Sequence, residues 1–295
     1  MGSHVDLSHV AATSMGMRVT AQVELIAVED RRLRFKLDAR TRRSGGERRR
    51  IEAEEQEGWM DFRDRHVVVT GGTGALGHAV VGALLAAGAH CHVSYRQERE
   101  KEGLPTGALS LIPVPSLADE AAVVKLYGGL PSLWASIHVA GGFAFAPLTD
   151  TSGELLRRQI DDNLVSCFLC CREAVAAMRL GKAGGRIVNV VARQALEPRD
   201  GAKLSASTAA KAGVAALTAA LGEELAGERI LVNAVAPSIM DTPANRRAMP
   251  KANFDAWPKV EEVAATILFL ASPENKVSRG GVVPVFGAAS QTAAS

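Results

Sequence analysis

The stretch HVVVTGGTGALG, from His66 to Gly77, limits what this chain can fold into more than any other. Its opening apolar run is short and unbroken. That marks a strand buried on both faces, because a half-buried strand would alternate. The run meets a turn that places Gly72, Gly74 and Gly77 at G-x-G-x-x-G spacing. An alanine- and leucine-rich segment follows and stops at Gly88, which predicts a helix. A strand covered on both sides needs helices on both sides, so this motif commits its surroundings to a parallel sheet of βα units.

The rest of the chain from Asp61 onward keeps that rhythm. HCHVSYR and SLIPVP predict strands, and LADEAAVVKLYGG predicts a helix. LWASIHVAGG is a strand entering a turn, and the tract from Thr151 to Gly181 is helical. GRIVNVVA is a strand, LSASTAAKAGVAAL a buried helix, and RILVNAVAP another strand. KVEEVAATILFLAS predicts a helix and GVVPVFG a last strand. The expected fold is α/β, a doubly wound parallel sheet of the Rossmann type, about seven strands with helices on both faces.

Before Asp61 the pattern has period two. Val19, Ala21, Val23 and Leu25 alternate with polar residues, as do Leu33, Phe35 and Leu37 after VEDRR. This predicts a short N-terminal β-hairpin extension. Residues 42–57 are charged and show no apolar face, as a linker or frayed helix would. The expected division is a β-rich piece over 1–40, a charged linker over 41–60 and the Rossmann domain over 61–295.

The glycine turn has a chemical reading. Glycines let the backbone turn sharply and approach a pyrophosphate, while the free N–H groups and dipole of the helix start favour the anion. The strand that follows selects the dinucleotide. An acid at its end would bond a ribose 2′-hydroxyl; an arginine would accommodate a 2′-phosphate. Here Ser94, Tyr95 and Arg96 stand there with no acid before Glu98, so NADP is expected, with NAD as the alternative.

Composition narrows the remaining classes. Apolar residues form 47% of the 295-residue chain and charged ones 22%, enough to build a core and too few charges for global disorder. The net charge of +2 gives no general pull toward nucleic acid, and the arginine-rich block from Arg31 to Arg50 reads as a solvated connector. No nucleic-acid partner is expected. Cys91, Cys167, Cys170 and Cys171 read as small buried thiols, with no second pair or histidine cluster nearby in sequence to complete a zinc set, so no metal is expected. The N-terminus lacks a signal-peptide pattern, and no run nears the ~20 apolar residues of a membrane span. A cytoplasmic protein acting on a small molecule, away from membranes, is the expectation.

From Asp61 to Gly287 the order of motifs resembles the short-chain dehydrogenase/reductase family. TGGTGALG resembles its cofactor loop, HVAGG its N-N-A-G turn, and NAVAPSIMDTP its segment covering the nicotinamide. The resemblance implies cofactor contacts from Gly71, Gly72, Thr73, Gly74, Leu76, Gly77, Arg96, Ala140, Gly141, Lys211, Pro237, Ile239 and Thr242. Lys211 matches the lysine of Y-x-x-x-K, and Asn163 matches the helix asparagine of a proton relay. The resemblance also implies that Val191 stands in the serine place and Ser207 in the tyrosine place. The family tyrosine passes the proton that accompanies hydride transfer, so its replacement leaves activity weak, rerouted or lost. Loss of a positioned acid is typically worth roughly 10²–10⁴-fold. His138 replaces the first asparagine of the turn, Ser116 stands where an aspartate often bonds adenine, and Ser238 is a mild change. MDTPANRRAMPKANFDAW and VAGGF resemble the dihydropteridine reductase branch, implying a planar heterocycle or small carbonyl as substrate. The family often pairs through its long helices and last strand, implying a homodimer or homotetramer.

The first forty residues resemble part of a hot-dog thioesterase, with His9 matching the histidine of its SH-AAT stretch. The long hot-dog helix has no counterpart here. A half sheet leaves bare edges, so this piece reads as a fused remnant without thioesterase activity.

Overall fold

The structure is a computed structural model that describes residues 60–288 in full and, before them, the backbone of four strands. The chain divides into two compact units, residues 1–61 and 62–295. In the first unit β1 (His4–Leu7), β2 (Arg18–Glu29), β3 (Arg32–Arg42) and β4 (Arg50–Glu52) lie in that order in one antiparallel sheet. The hairpin expected from period-two alternation is β2–β3. The stretch expected to be a linker differs: β3 runs through Arg42, and β4 pairs with it, Arg50 opposite Arg40. His9 lies outside the described residues.

The second unit holds a seven-stranded sheet: β5 (His66–Thr70), β6 (His90–Tyr95), β7 (Leu109–Pro113), β8 (Leu133–His138), β9 (Gly185–Val190), β10 (Ile230–Pro237) and β11 (Val282–Val285). Their spatial order is β11-β10-β9-β8-β5-β6-β7, and every neighbouring pair is parallel. The order reverses between β5 and β8, and the crevice beyond that switch point is where open α/β sheets bind ligands.

Helices cover both faces. α1 (Ala75–Ala86) packs with α8 (Val260–Ala271). On the other face lie α2 (Glu120–Gly128), α3 (Gly153–Ile160), α4 (Ser166–Gly181) and α6 (Ser205–Glu224). Short α5 (Arg193–Leu196) and α7 (Pro243–Ala248) follow β9 and β10. Two-sided cover explains the unbroken apolar strands. Val67, Val68 and Val69 are all fully buried, with Val68 joining Leu126, Met178, Ile187, Val214 and Val232 in the core on the α4 side.

Helix starts separate structural from functional ends. Asp119 caps α2 by accepting from the Ala121 and Ala122 amides, and Ser152 caps α3 through the Leu155 amide. Such caps satisfy amides that the helix itself cannot. α1 has no side-chain cap and no acid in its first turn. Its N-terminus, at the glycine turn, is left open to an external anion.

Candidate active site

The glycines of the β5–α1 turn do three different jobs. Gly71 has φ +69°, and a Cβ there would stand 2.5 Å from the Ala140 nitrogen, so the turn packs bare backbone against the loop after β8. A Cβ on Gly77 would collide with the Gly71 carbonyl, which sets how closely α1 approaches β5. Gly74 is exposed, and a Cβ there would meet nothing nearer than 3.5 Å. Its space faces outward at the α1 N-terminus, where a pyrophosphate fits. Thr73 is partly exposed beside it. Leu76 is buried, so its side chain serves the core and only its backbone remains for a ligand. Arg96 lies exposed just past β6; its backbone amide donates to Glu100 at 2.9 Å.

A second group converges across the switch point. Asn163 sits in a π-helical turn, Asp161–Val165, between α3 and α4. Such wide turns recur at functional sites because they redirect side chains and free backbone groups. The Asn163 amide donates to Gly142 O at 3.0 Å and Gln159 O at 2.9 Å, and accepts from Gly142 N at 3.2 Å. It therefore clamps the loop after β8. Lys211, buried on α6, donates to Val190 O at 2.7 Å. Burial lowers its pKa to about 8, partly offset by Cys167 nearby. Both side chains close on Gly141: a Cβ there would lie 2.6 Å from Asn163 Oδ1 and 3.0 Å from Lys211 Nζ. Ala140 and Gly141 thus form the floor between the glycine turn and Lys211. Pro237 ends β10; Ile239 is 46% exposed beyond it, and Thr242 caps α7 by accepting from Asn245 N at 3.2 Å.

The chain belongs to the short-chain dehydrogenase family. The family model for short chain dehydrogenases matches residues 65–253. A 2-dehydro-3-deoxy-L-rhamnonate dehydrogenase (NAD(+)) from Sphingomonas sp. is 30% identical, over 72% of this chain and 90% of that protein. L-xylulose reductase from Bos taurus is 29% identical, over 77% of this chain and 98% of its own. A short-chain type dehydrogenase/reductase from Mycobacterium ulcerans has the same fold, with TM-score 0.72 and 24% identity over 78% of this chain and 90% of that one. Residues 1–46 match the model for fluoroacetyl-CoA-specific thioesterases.

Ser207 and Val191, the two positions matched by resemblance to the family tyrosine and serine, are both buried. Ser207 is buried on α6, and its one hydrogen is committed: its hydroxyl donates to Gln159 Oε1 at 2.7 Å and accepts from Ala144 N at 3.1 Å. It fastens α6 to α3 and to the substrate-side loop. Val191 lies in the hydrophobic core, its amide bonded to Val235 O at 2.9 Å, so it does not face the crevice. The C-terminal end of β9 offers Val190, Val191 and Ala192, none with a hydroxyl. Tyr95 donates to Glu98, and Tyr127 is buried beneath the sheet's far half. Tyr127 bonds Ser136 Oγ and His138 Nε2, and neither tyrosine bonds Lys211, Asn163 or Ser207 among the described residues.

Sequence reasoning missed two groups. Gln159 gave one faint signal, standing one helical turn before Asn163. The other is a buried polar knot. His138 Nδ1 bonds Asn189 Oδ1 at 2.8 Å, and the Cys167 thiol donates to the same oxygen at 3.3 Å. Cys171 Sγ lies 3.6 Å from His138 Nδ1. The hydrogen bond from Cys171, with His138 and Lys211 beside it, pulls the Cys167 pKa down against the opposing effect of burial. The cysteines are buried and unpaired, as their composition suggested. No histidine cluster is expected nearby in sequence; the single His138 is brought to the thiols by the fold.

Proposed function

We propose that the 62–295 unit binds NADP(H) in preference to NAD(H) and transfers hydride to or from a small carbonyl or planar heterocycle, with slow proton delivery. The observation that carries this reading is the convergence of Asn163 and Lys211 on Gly141, where a Cβ would stand 2.6 Å from Asn163 Oδ1 and 3.0 Å from Lys211 Nζ. The fit to a dinucleotide rests on the open Gly74 and the uncapped α1 start. Gly71 to Gly74, with the backbone of Leu76 and Gly77, would hold the diphosphate. Arg96 would hold the 2′-phosphate and Lys211 the nicotinamide ribose, while Pro237, Ile239 and Thr242 would cover the nicotinamide. When bound, the cofactor supplies or accepts the hydride.

The substrate side is apolar. Phe143 and Phe145 are 71% and 65% exposed on the loop after β8, and Ile239 follows β10. Such aromatic surface favours a flat, partly apolar substrate. Asn163 and Ser207 hold that loop in place through Gly142 and Ala144. With Ser207 committed to Gln159, the proton comes from solvent at the crevice mouth. A homodimer or homotetramer acting in the cytoplasm fits this reading; among the described residues no helix is long and apolar enough to cross a membrane. The N-terminal unit is read as a fused remnant.

A second reading is favoured by the Ser207–Gln159 bond itself: a protein that binds the dinucleotide without turnover. Calorimetric titration with NADPH and NADH, followed by NADPH oxidation assays with carbonyl and quinonoid substrates, separates the two. Tight NADPH binding with measurable oxidation supports the enzyme, and tight binding without oxidation supports the scaffold. Absence of binding for both coenzymes removes both readings.

A further inference from the structure

The polar knot under Lys211 has the composition and spacing of a metal cage. His138 ends β8 and Asn189 is its register partner on β9, so their side chains stand side by side. Cys167 and Cys171 are one turn apart on α4, which puts both on one helix face above that pair. All four residues are buried, and the ligand atoms of His138, Cys167 and Cys171 lie within 4.8 Å of one another. Asn189 Oδ1 is 2.8 Å from His138 Nδ1, 3.3 Å from Cys167 Sγ and 3.7 Å from Cys171 Sγ. Tetrahedral zinc, with bonds of about 2.0–2.3 Å, holds its ligands roughly 3.4–3.8 Å apart. The Cys171–His138 distance of 3.6 Å and both thiol–Asn189 distances already stand close to that spacing, and the His138–Asn189 pair opens from 2.8 Å to admit the ion.

The outer groups fit as well. His138 Nε2 lies 2.8 Å from Ser136 Oγ and 3.3 Å from Tyr127 Oη, and Asn189 Nδ2 donates to Thr218 Oγ1 at 2.9 Å. Partners of this kind orient ligating imidazoles and amides. A disulfide is disfavoured, since helical neighbours four apart hold their Cβ atoms about 5–6 Å apart, against the ~3.8 Å a disulfide prefers.

We propose that His138 Nδ1, Cys167 Sγ, Cys171 Sγ and Asn189 Oδ1 form a closed structural site for Zn²⁺. Binding releases two thiol protons to solvent. His138 moves its remaining proton from Nδ1 to Nε2, where it donates to Ser136 Oγ, and no electrons are exchanged. Two thiolates neutralise the dication, so the site adds no net charge beside Lys211. The ion joins β8 and β9 to α4 directly below Asn163 and Lys211. Because every donor is buried, loading accompanies folding.

The test uses the full chain, produced with zinc and purified without chelator, with metal content measured by mass spectrometry. A parallel sample is unfolded, stripped and refolded with Co²⁺. The expected result is one zinc per chain, with thiolate-to-cobalt charge transfer and tetrahedral d–d absorption. Cys167→Ser and Cys171→Ser lose these signals, while Cys170→Ser keeps them. If the serine variants do not fold, the wild type and Cys170→Ser still decide. Folded wild type without stoichiometric zinc and without cobalt–thiolate bands overturns the proposal. So do cobalt bands without thiolate character, which place the ion elsewhere, such as at His66, His90 and His92. NADPH titration of the same samples reports separately on the nucleotide site.

Discussion

Ser207 on α6 donates a 2.7 Å hydrogen bond to Gln159 Oε1 on α3. On the proposed reading, in which Ser207 stands in the family's tyrosine place, this contact uses the hydrogen that proton delivery would need. The serine is part of a buried strut, and its hydroxyl cannot be turned toward the crevice without orphaning Gln159.

That strut makes a paired prediction. Ser207→Tyr alone crowds Gln159, which should cost about 1–3 kcal/mol for overpacking. It also leaves the Gln159 oxygen unpaired if the phenol points away, at a similar cost of about 1–3 kcal/mol. Adding Gln159→Ala opens room and recovers much of the stability. The double variant should oxidise NADPH at least about 10²-fold faster than wild type, the low end for a positioned acid. Denaturant melts and steady-state assays check both halves. Equal turnover in the double variant and wild type would show that the missing phenol is not what limits this protein.

Arg96 should decide the coenzyme. Loss of a charge-assisted bond to phosphate is worth about 1.5–3 kcal/mol. Arg96→Ala should therefore weaken NADPH by roughly 10- to 100-fold and leave NADH nearly unchanged, read by calorimetry. A parallel loss for both coenzymes would place Arg96 away from the 2′-phosphate.

The glycines should separate folding from binding. Gly74→Ala makes only an ordinary contact, 3.5 Å from the Gly71 carbonyl oxygen, so the protein should melt as wild type yet bind NADPH weakly because the methyl intrudes where the diphosphate lies. Gly77→Ala meets the Gly71 carbonyl and should destabilise the fold itself by about 1–3 kcal/mol. Thermal melts with and without NADPH distinguish them. A Gly74→Ala protein with unaltered NADPH affinity would contradict the cradle.

Three histidines give a pH dependence at the N-terminal end of β5 and β6. His66 Nδ1 lies 2.9 Å from His92 Nε2, and the His66 ring stacks on His90. Burial, then His66 and His90, lower the His92 pKa from 6.5 to about 4. The unfolded chain therefore binds a proton here that the folded chain refuses. The stability this site contributes is complete above about pH 6.5 and is lost as pH falls toward about 4. The melting temperature should drop through that window, and His92→Asn should flatten the drop. An unchanged profile in the variant would assign the acid sensitivity to other groups.

The fold was legible because it is written in local periods. Unbroken apolar strands such as Val67–Val69, glycine-terminated helices and the Gly72–Gly77 spacing all act over a few residues. Each of them implies a buried parallel sheet independently of the others. The Gly74 turn was marked by the same short-range spacing, whereas Lys211 was marked only by the family resemblance. What only the tertiary structure decided depends on register and helix face. Val191 turns into the core, Gln159 meets Ser207 from a different helix, and His138 finds Cys167 and Cys171. β8–β9 pairing sets His138 beside Asn189, and the winding of α4 sets both thiols above them. Residues that far apart in the chain share no local signal, since their contact energy exists only once the sheet and its helices are packed.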